Sequence, residues 1–205
     1  MSHTKKGLLI VFSGPSGSGK GTVRAQLMKR EDFAFSVSAT TRAPRAGEKD
    51  GVDYYYITRE QFEERIREGD MLEYTEYNGN YYGPPLREAM QVVESGRNLL
   101  LEIEVEGAMN VKRLYPEAVL ILLLPPSFAE QEKRLRSRAT ETEEVILGRL
   151  ERTREEMKFV SEYDYIVYIP DGGVDACADE VLAIIHAEQH SVKRYEKVSE
   201  HYFEN

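Results

Sequence analysis

Phe12 to Val23 reads FSGPSGSGKGTV. Within it, Gly14, Pro15, Ser16, Gly17, Ser18, Gly19 and Lys20 fit the pattern G-x-x-x-x-G-K. The apolar run Leu8–Ser13 comes before it, and a stretch with helical spacing comes after. Strand, loop and helix therefore follow in the order this pattern requires. Glycines let successive backbone N–H groups turn inward around phosphate oxygens, and a helix N-terminus adds favourable partial charge. Lys20 would reach the terminal phosphates of a nucleotide. The competing reading, a glycine turn without function, does not account for that context. Gly21 follows the lysine, where a hydroxyl that ligates Mg2+ is usual, and Thr22 stands one position later. Either Thr22 substitutes, or the ion is held mainly by water and phosphate oxygens, as Mg2+ tolerates because it dehydrates reluctantly.

Outward from this loop, apolar runs alternate with helical patterns. The runs are Leu8–Ser13, Phe35–Ser38, Asn98–Ile103, Ala118–Leu124 and Tyr165–Ile169, with room for crossovers between them. This predicts an α/β fold of phosphate-loop type, a parallel sheet flanked by helices. Ser127 with Glu130 and Thr58 with Gln61 mark helix starts as capping boxes. Pro84 and Pro85 open a helix that runs to about Ser95. From Val37 to Tyr82 the chain is polar and tyrosine-rich, and Asn78-Gly79 signals a hairpin, so this region reads as a small inserted lobe. Arg134 to Met157 is highly charged and mostly helical, and reads as a flap.

Composition narrows the class. The 205 residues carry a net charge of −9, which argues against a protein whose main task is to coat nucleic acid. A small nucleotide needs only a local basic pocket. The longest apolar run, Ala118–Leu124, is too short to span a bilayer. The run near the N-terminus leads directly into the loop and reads as a strand, not a signal peptide. One cysteine, Cys177, leaves no internal disulfide framework and suits a reducing cytoplasm.

Three clusters suggest where a phosphate goes. Arg42 and Arg45 lie three apart in a proline-containing loop. Two guanidinium groups that close repel unless an anion lies between them, and phosphate matches their fork geometry. Tyr54 and Tyr82 could add phenol donors; a solvated basic turn is the alternative. Glu102 and Glu104 close the strand-like stretch LLLEIEVEG, where alternate residues share a face and where ligands bind in open α/β sheets. Glu102 could face the metal or anchor an arginine, and Glu104 could accept from a base, or both could be helix-start carboxylates. Arg134 and Arg138 are i, i+4 neighbours, with Arg149 further on. They could close over transferring phosphates and exclude water, or be balanced on a surface helix by Glu132, Glu141 and Glu151.

GPSGSGKGTV, SVSATTRAPRAGEKDGVDYY, LEYTEYNGNYYG, LLLEIEVEG and RLRSRATETEE together resemble the bacterial guanylate kinases, end to end. The second and third are far more specific than any phosphate loop, and G-K-G-T is itself frequent among small-molecule nucleotide kinases. The resemblance implies phosphate transfer from ATP with Mg2+ to GMP. It implies a core of residues 1–36, 86–133 and 158–205, a GMP-binding lobe at 37–85 and a lid at 134–157. It carries GMP-phosphate contacts onto Arg42, Arg45, Tyr54 and Tyr82, and guanine contacts onto Ser38, Glu73 and Glu104. Glu102 matches a carboxylate near the metal and the phosphate-binding arginines, with Thr22 as a second metal candidate. Lys20, Arg42, Arg134, Arg138 and Arg149 match the catalytic cations, and Gly14 through Thr22 the ATP loop. The implied partners are ATP and GMP, with no nucleic acid or membrane, in a monomer or a homo-oligomer. Four features depart from the family. Pro84 replaces a hydroxyl after YYG, glutamates stand for aspartates, the lid reads Ser137-Arg138-Ala139, and YIPDGG stands near the adenine position, with its contact at Ile169–Asp171. Another monophosphate or a sugar phosphate as acceptor, and a non-catalytic phosphopeptide-binding module, are the rival readings.

Overall fold

A computed structural model of the chain describes residues 6–45, 47–77, 79–137 and 142–194. Its central sheet is wholly parallel, in the order β2 (Ala34–Phe35), β7 (Leu99–Glu102), β1 (Leu9–Ser13), β8 (Val119–Leu124) and β9 (Tyr165–Tyr168). Leu9 lies opposite Leu99 on one side of β1, and Ile10 opposite Val119 on the other. All residues of β1 and β8 are buried, which is why both read as continuous apolar runs without alternation.

The period of two still sorts side chains between the layers. Ile10 and Phe12 face Val23 and Leu27 of α1 (Lys20–Arg30) and Val181 and Ile185 of α7 (Val174–Gln189). Leu9 and Val11 face Ala89 and Val93 of α3 (Leu86–Glu94) and Ala108 and Val111 of α4 (Val105–Leu114). Leu27 is fully buried, so truncating it to alanine costs about 2–5 kcal/mol. On the surface, Arg30 ties α1 to Asp175 and Asp179 of α7.

A second sheet has the order β4 (Tyr55–Tyr56), β3 (Ala39–Thr40), β6 (Asn80–Gly83) and β5 (Thr75–Tyr77). It is covered by α2 (Arg59–Arg67), whose Thr58 and Gln61 form the complete capping box. Phe62 of α2 is buried and stacks on Tyr81 at 5.1 Å. Tyr77 pairs with Asn80, so β5 and β6 form a hairpin, and Gly79 just before β6 has φ 74; Asn78 lies outside the described residues.

The chain departs from the sequence expectation at two places. The run Phe35–Ser38 is not one strand: Ser36 donates its N–H to Leu100, and the chain then crosses to the second sheet at Ala39. Glu104 does not share a strand face with Glu102. β7 ends at Glu102, and Glu104 is the N-cap of α4, with no side-chain cap bond. Beyond β8, α5 (Phe128–Ser137) and α6 (Glu143–Glu156) pack together through Leu135, Ile146 and Leu150. Arg138 lies outside the described residues. Among the described residues, no helix is long and apolar enough to cross a membrane.

Candidate functional site

The loop from Gly14 to Gly19 joins β1 to α1 at the C-terminal edge of the parallel sheet. Gly14 has φ 146, and a Cβ there would lie 2.2 Å from the carbonyl oxygen of Leu123, a backbone atom that cannot yield. Gly19 is the N-cap of α1 at φ 102, a conformation that favours glycine. Its carbonyl accepts from Thr22 and Val23 at 3.0 and 3.2 Å, which starts the helix. Lys20 folds back across the loop and donates to the carbonyls of Gly14 (2.5 Å) and Pro15 (3.2 Å).

Two further cations reach this loop from α5 and α6. Arg134 donates to the carbonyl of Ser18 at 3.1 Å, and to the carbonyl of Ile169 and the carboxylate of Asp171 at 2.8 Å each. Arg149 donates to the Ser16 hydroxyl at 2.5 Å. Gln131, buried on α5, donates to the Ser16 carbonyl at 2.9 Å and to Thr153 of α6 at 2.8 Å. Sequence reasoning missed Gln131 because no local signal separates it from an ordinary polar helix residue.

Across from the loop lies a cleft of about 280 Å³. Its walls hold Lys20, Ser38, Tyr54, Glu73, Tyr82, Glu102 and Glu104. Residues from the phosphate loop, the second sheet and the end of β7 thus share one space, although more than eighty residues of sequence separate its first member from its last. Pro84 is buried on a neighbouring hollow that also includes Ser38, Tyr54 and Glu102, and its carbonyl accepts from Leu72 at 3.0 Å.

Arg42 is already paired within its own loop, by Glu48. Its two carboxylate oxygens accept from Arg42 Nη2 at 2.9 Å each, and one accepts the Arg45 backbone N–H at 2.7 Å and the Tyr56 hydroxyl at 2.8 Å. The Arg45 backbone N–H and these side-chain donors hold the Glu48 carboxyl down at about 2. The Arg42 guanidinium lies 5.5 Å from the centre of the Tyr54 ring, and Tyr54 meets Tyr82 edge-on at 6.0 Å. The signal for Glu48 was present: an acid three residues after Arg45 in the same loop.

The carboxylates of the cleft differ in environment. Burial first, then the charges of Glu106 and Glu104, push the Glu73 carboxyl up to about 7. Glu102 pairs with Arg24 Nε of α1 at 3.3 Å, and Arg24 stacks over Phe35 at 4.4 Å. Arg152 of α6 bridges Glu156 at 3.1 Å and Glu104 at 3.6 Å.

For a metal, the donor set is thin. Among the described residues, no group of three or more His, Cys, Asp or Glu side chains is placed to hold a metal ion. A Cβ on Gly21 would lie 3.8 Å from Glu102 Oε1, so one carboxylate stands over the first turn of α1, while Thr22 is exposed. This fits an ion that keeps most of its water and takes phosphate oxygens with one protein carboxylate, as Mg2+ does.

The sequence profile of guanylate kinase matches residues 6–188. A guanylate kinase of Streptococcus thermophilus is 52% identical over 193 residues, covering 93% of this chain and 91% of the relative. One of Lactococcus lactis is 52% identical over 191 residues, covering 93% and 92%. The crystal structure of guanylate kinase from Anaplasma phagocytophilum superposes with a TM-score of 0.72 at 33% identity, covering 96% of this chain and 93% of that one. On this extent of likeness, the chain belongs to the guanylate kinase family.

Proposed function

We infer that this protein transfers the γ-phosphate of ATP to GMP, giving ADP and GDP. The observation that carries the reading is the shared cleft, which joins Lys20 of the phosphate loop to the half-buried Glu73 and the tyrosines Tyr54 and Tyr82. Gly14 through Thr22 hold the ATP phosphates. Arg42, Arg45, Tyr54 and Tyr82 hold the GMP phosphate. Glu73, with Ser38 and Glu104, reads guanine, because a carboxylate accepts from N1–H and the 2-amino group together. Adenine offers no such pair, and an unmatched buried carboxylate is costly. We assign residues 37–85 as the GMP lobe and 134–157 as the lid, on a core formed by the rest. The lone buried Cys177 supports a cytoplasmic setting.

An oxygen of the GMP phosphate attacks the γ-phosphorus in line. The bond from that phosphorus to the β,γ-bridging oxygen breaks, and ADP leaves with the electron pair. No general base is needed, because a nucleotide phosphate is already ionised near neutral pH. Lys20, Arg134 and Arg149, with Arg138, neutralise charge on the transferring group, and closure of the cleft positions the two phosphates. Glu102 and Thr22 are the residues that would hold Mg2+, which would supply charge neutralisation to the phosphates.

The test is ADP release from ATP and Mg2+ with GMP, dGMP, AMP, UMP or no acceptor. Turnover with GMP and dGMP alone establishes the activity. Turnover with another monophosphate means that the region around Pro84 is retuned. No turnover with any acceptor favours the binding-module reading.

A further inference from the structure

We propose that Gly107 is a positioning residue for guanine selection: the missing side chain in the first turn of α4 gives the Glu73 carboxyl its place in the cleft. The proposal rests on Glu73 as the guanine reader. Gly107 is buried, lies inside α4 and is not among the glycines with positive φ. No backbone conformation demands glycine there, and alanine is the better helix former. The reason for glycine lies in what it faces. A Cβ at 107 would come within 2.8 Å of Glu73 Cδ, 2.9 Å of Oε2 and 3.1 Å of Cγ. All three atoms belong to the side chain whose carboxyl faces the cleft.

Gly83 provides the contrast. A Cβ there would come within 2.3 Å of the Glu73 backbone carbonyl, so the strand itself would have to move. At Gly107 the obstacle is the end of a flexible side chain. An added methyl group leaves the fold in place and pushes the carboxyl aside. Two parallel hydrogen bonds to one base edge do not survive such a shift, since sites of this kind need their groups held to within about 0.5 Å.

The test uses Gly107→Ala and Glu73→Ala, alone and combined, in the full chain. In Gly107→Ala we expect a melting temperature equal to or above wild type and an unchanged KM for ATP. We expect KM for GMP to rise about 10- to 100-fold, the range for losing hydrogen bonds to a charged group. The preference for GMP over IMP, which lacks the 2-amino group, should fall, because only GMP loses the second bond. In the Glu73→Ala background the 107 substitution should be silent, since the atoms it would displace are gone. An unchanged GMP-to-IMP ratio in Gly107→Ala, with the ratio lowered in Glu73→Ala, overturns the proposal and leaves the guanine reading standing. An unchanged ratio in Glu73→Ala overturns both. If Gly107→Ala fails to fold, the double variant decides. Recovery of folding in it shows the conflict at Glu73, and failure there makes Gly107 structural and overturns the proposal.

Discussion

Glu73 makes the guanine reading measurable through pH. Its carboxyl titrates near 7 in the cleft, against an ordinary value of 4.5, chiefly because it is buried. The form that accepts from guanine is the ionised one. With a free-enzyme value near 7, about nine-tenths is ionised at pH 8 and about one-tenth at pH 6. Since kcat/KM reports the free enzyme, kcat/KM for GMP should fall about 10-fold from pH 8 to pH 6 through this group alone. The GMP phosphate, with its own ionisation near 6, adds only about a further twofold. Glu73→Gln separates the two. It should lie about 10- to 100-fold below wild type at pH 8 and retain only the shallow fall near pH 6. Stability moves with the opposite sign. The folded protein holds this proton more tightly than the unfolded chain, so the group's contribution is most favourable below 4.5 and is lost as pH rises to 7. The loss is at most about 3 kcal/mol, from 1.36 kcal/mol per tenfold difference in proton affinity. Glu73→Gln should therefore melt higher than wild type above pH 7. A wild-type profile without a limb near 7, or a glutamine variant that keeps it, would refute the argument.

Arg42→Ala should raise KM for GMP about 10- to 100-fold, the loss of charge-assisted hydrogen bonds to phosphate, and leave ATP affinity as it was; equal effects on both nucleotides in initial-rate kinetics would remove Arg42 from the acceptor site. Gly14→Ala forces a left-handed backbone onto a side chain that meets the Leu123 carbonyl oxygen. It should cost about 1–3 kcal/mol from backbone strain alone, read as a lower urea midpoint, and an unchanged midpoint would contradict the geometry. Chelating Mg2+ with excess EDTA should abolish turnover yet leave GMP binding by calorimetry intact.

The parallel sheet was legible because its central strands β1 and β8 are buried on both faces and so appear as unbroken apolar runs. The hairpin of β5 and β6 was legible because few dipeptides other than Asn-Gly make a two-residue turn easily. The start of β3 was not, because Phe35–Ser38 reads as one strand and nothing local says that the chain changes sheets after Ser36. Glu104 was left between strand end and helix start for a related reason. A glutamate two residues past a strand end looks the same whether the strand continues or a helix begins. The partners of the site residues were least legible. Arg24 meets Glu102, and Gln131 meets Ser16, only through tertiary packing. Glu48 is the exception: two clustered arginines point outward to an external anion, and the acid three residues after Arg45 already pairs with Arg42.

That internal anion and the phosphate loop follow one physical logic. Lys20, Arg134 and Arg149 come from three different helices, and each donates to an oxygen of the loop itself: the carbonyls of Gly14 and Pro15, the carbonyl of Ser18 and the hydroxyl of Ser16. These acceptors are neutral. Phosphate oxygens carry formal charge, so a cation gains Coulomb attraction to them that a neutral carbonyl or hydroxyl does not offer. On the inferred mechanism, the bonds to these loop oxygens give way to bonds to phosphate, while Arg134 also holds the carboxylates of Asp171 and Glu130. Little reorganisation then remains at the moment of transfer, which is the condition under which electrostatic stabilisation is most effective. Leu135, Ile146 and Leu150 hold α5 to α6, so a shift that brings Arg134 to the phosphates brings Arg149 with it. Arg42 obeys the same rule with a stronger competitor. Glu48 is itself charged and takes both bonds to Nη2. On the inferred mechanism, the GMP phosphate adds to that pair at the donors that Glu48 leaves, Nε and Nη1, the latter now on the Ala43 carbonyl at 2.7 Å, because displacing a carboxylate with a phosphate gains little. On that mechanism Glu48 orients Arg42 in the bound state as it does in the free one.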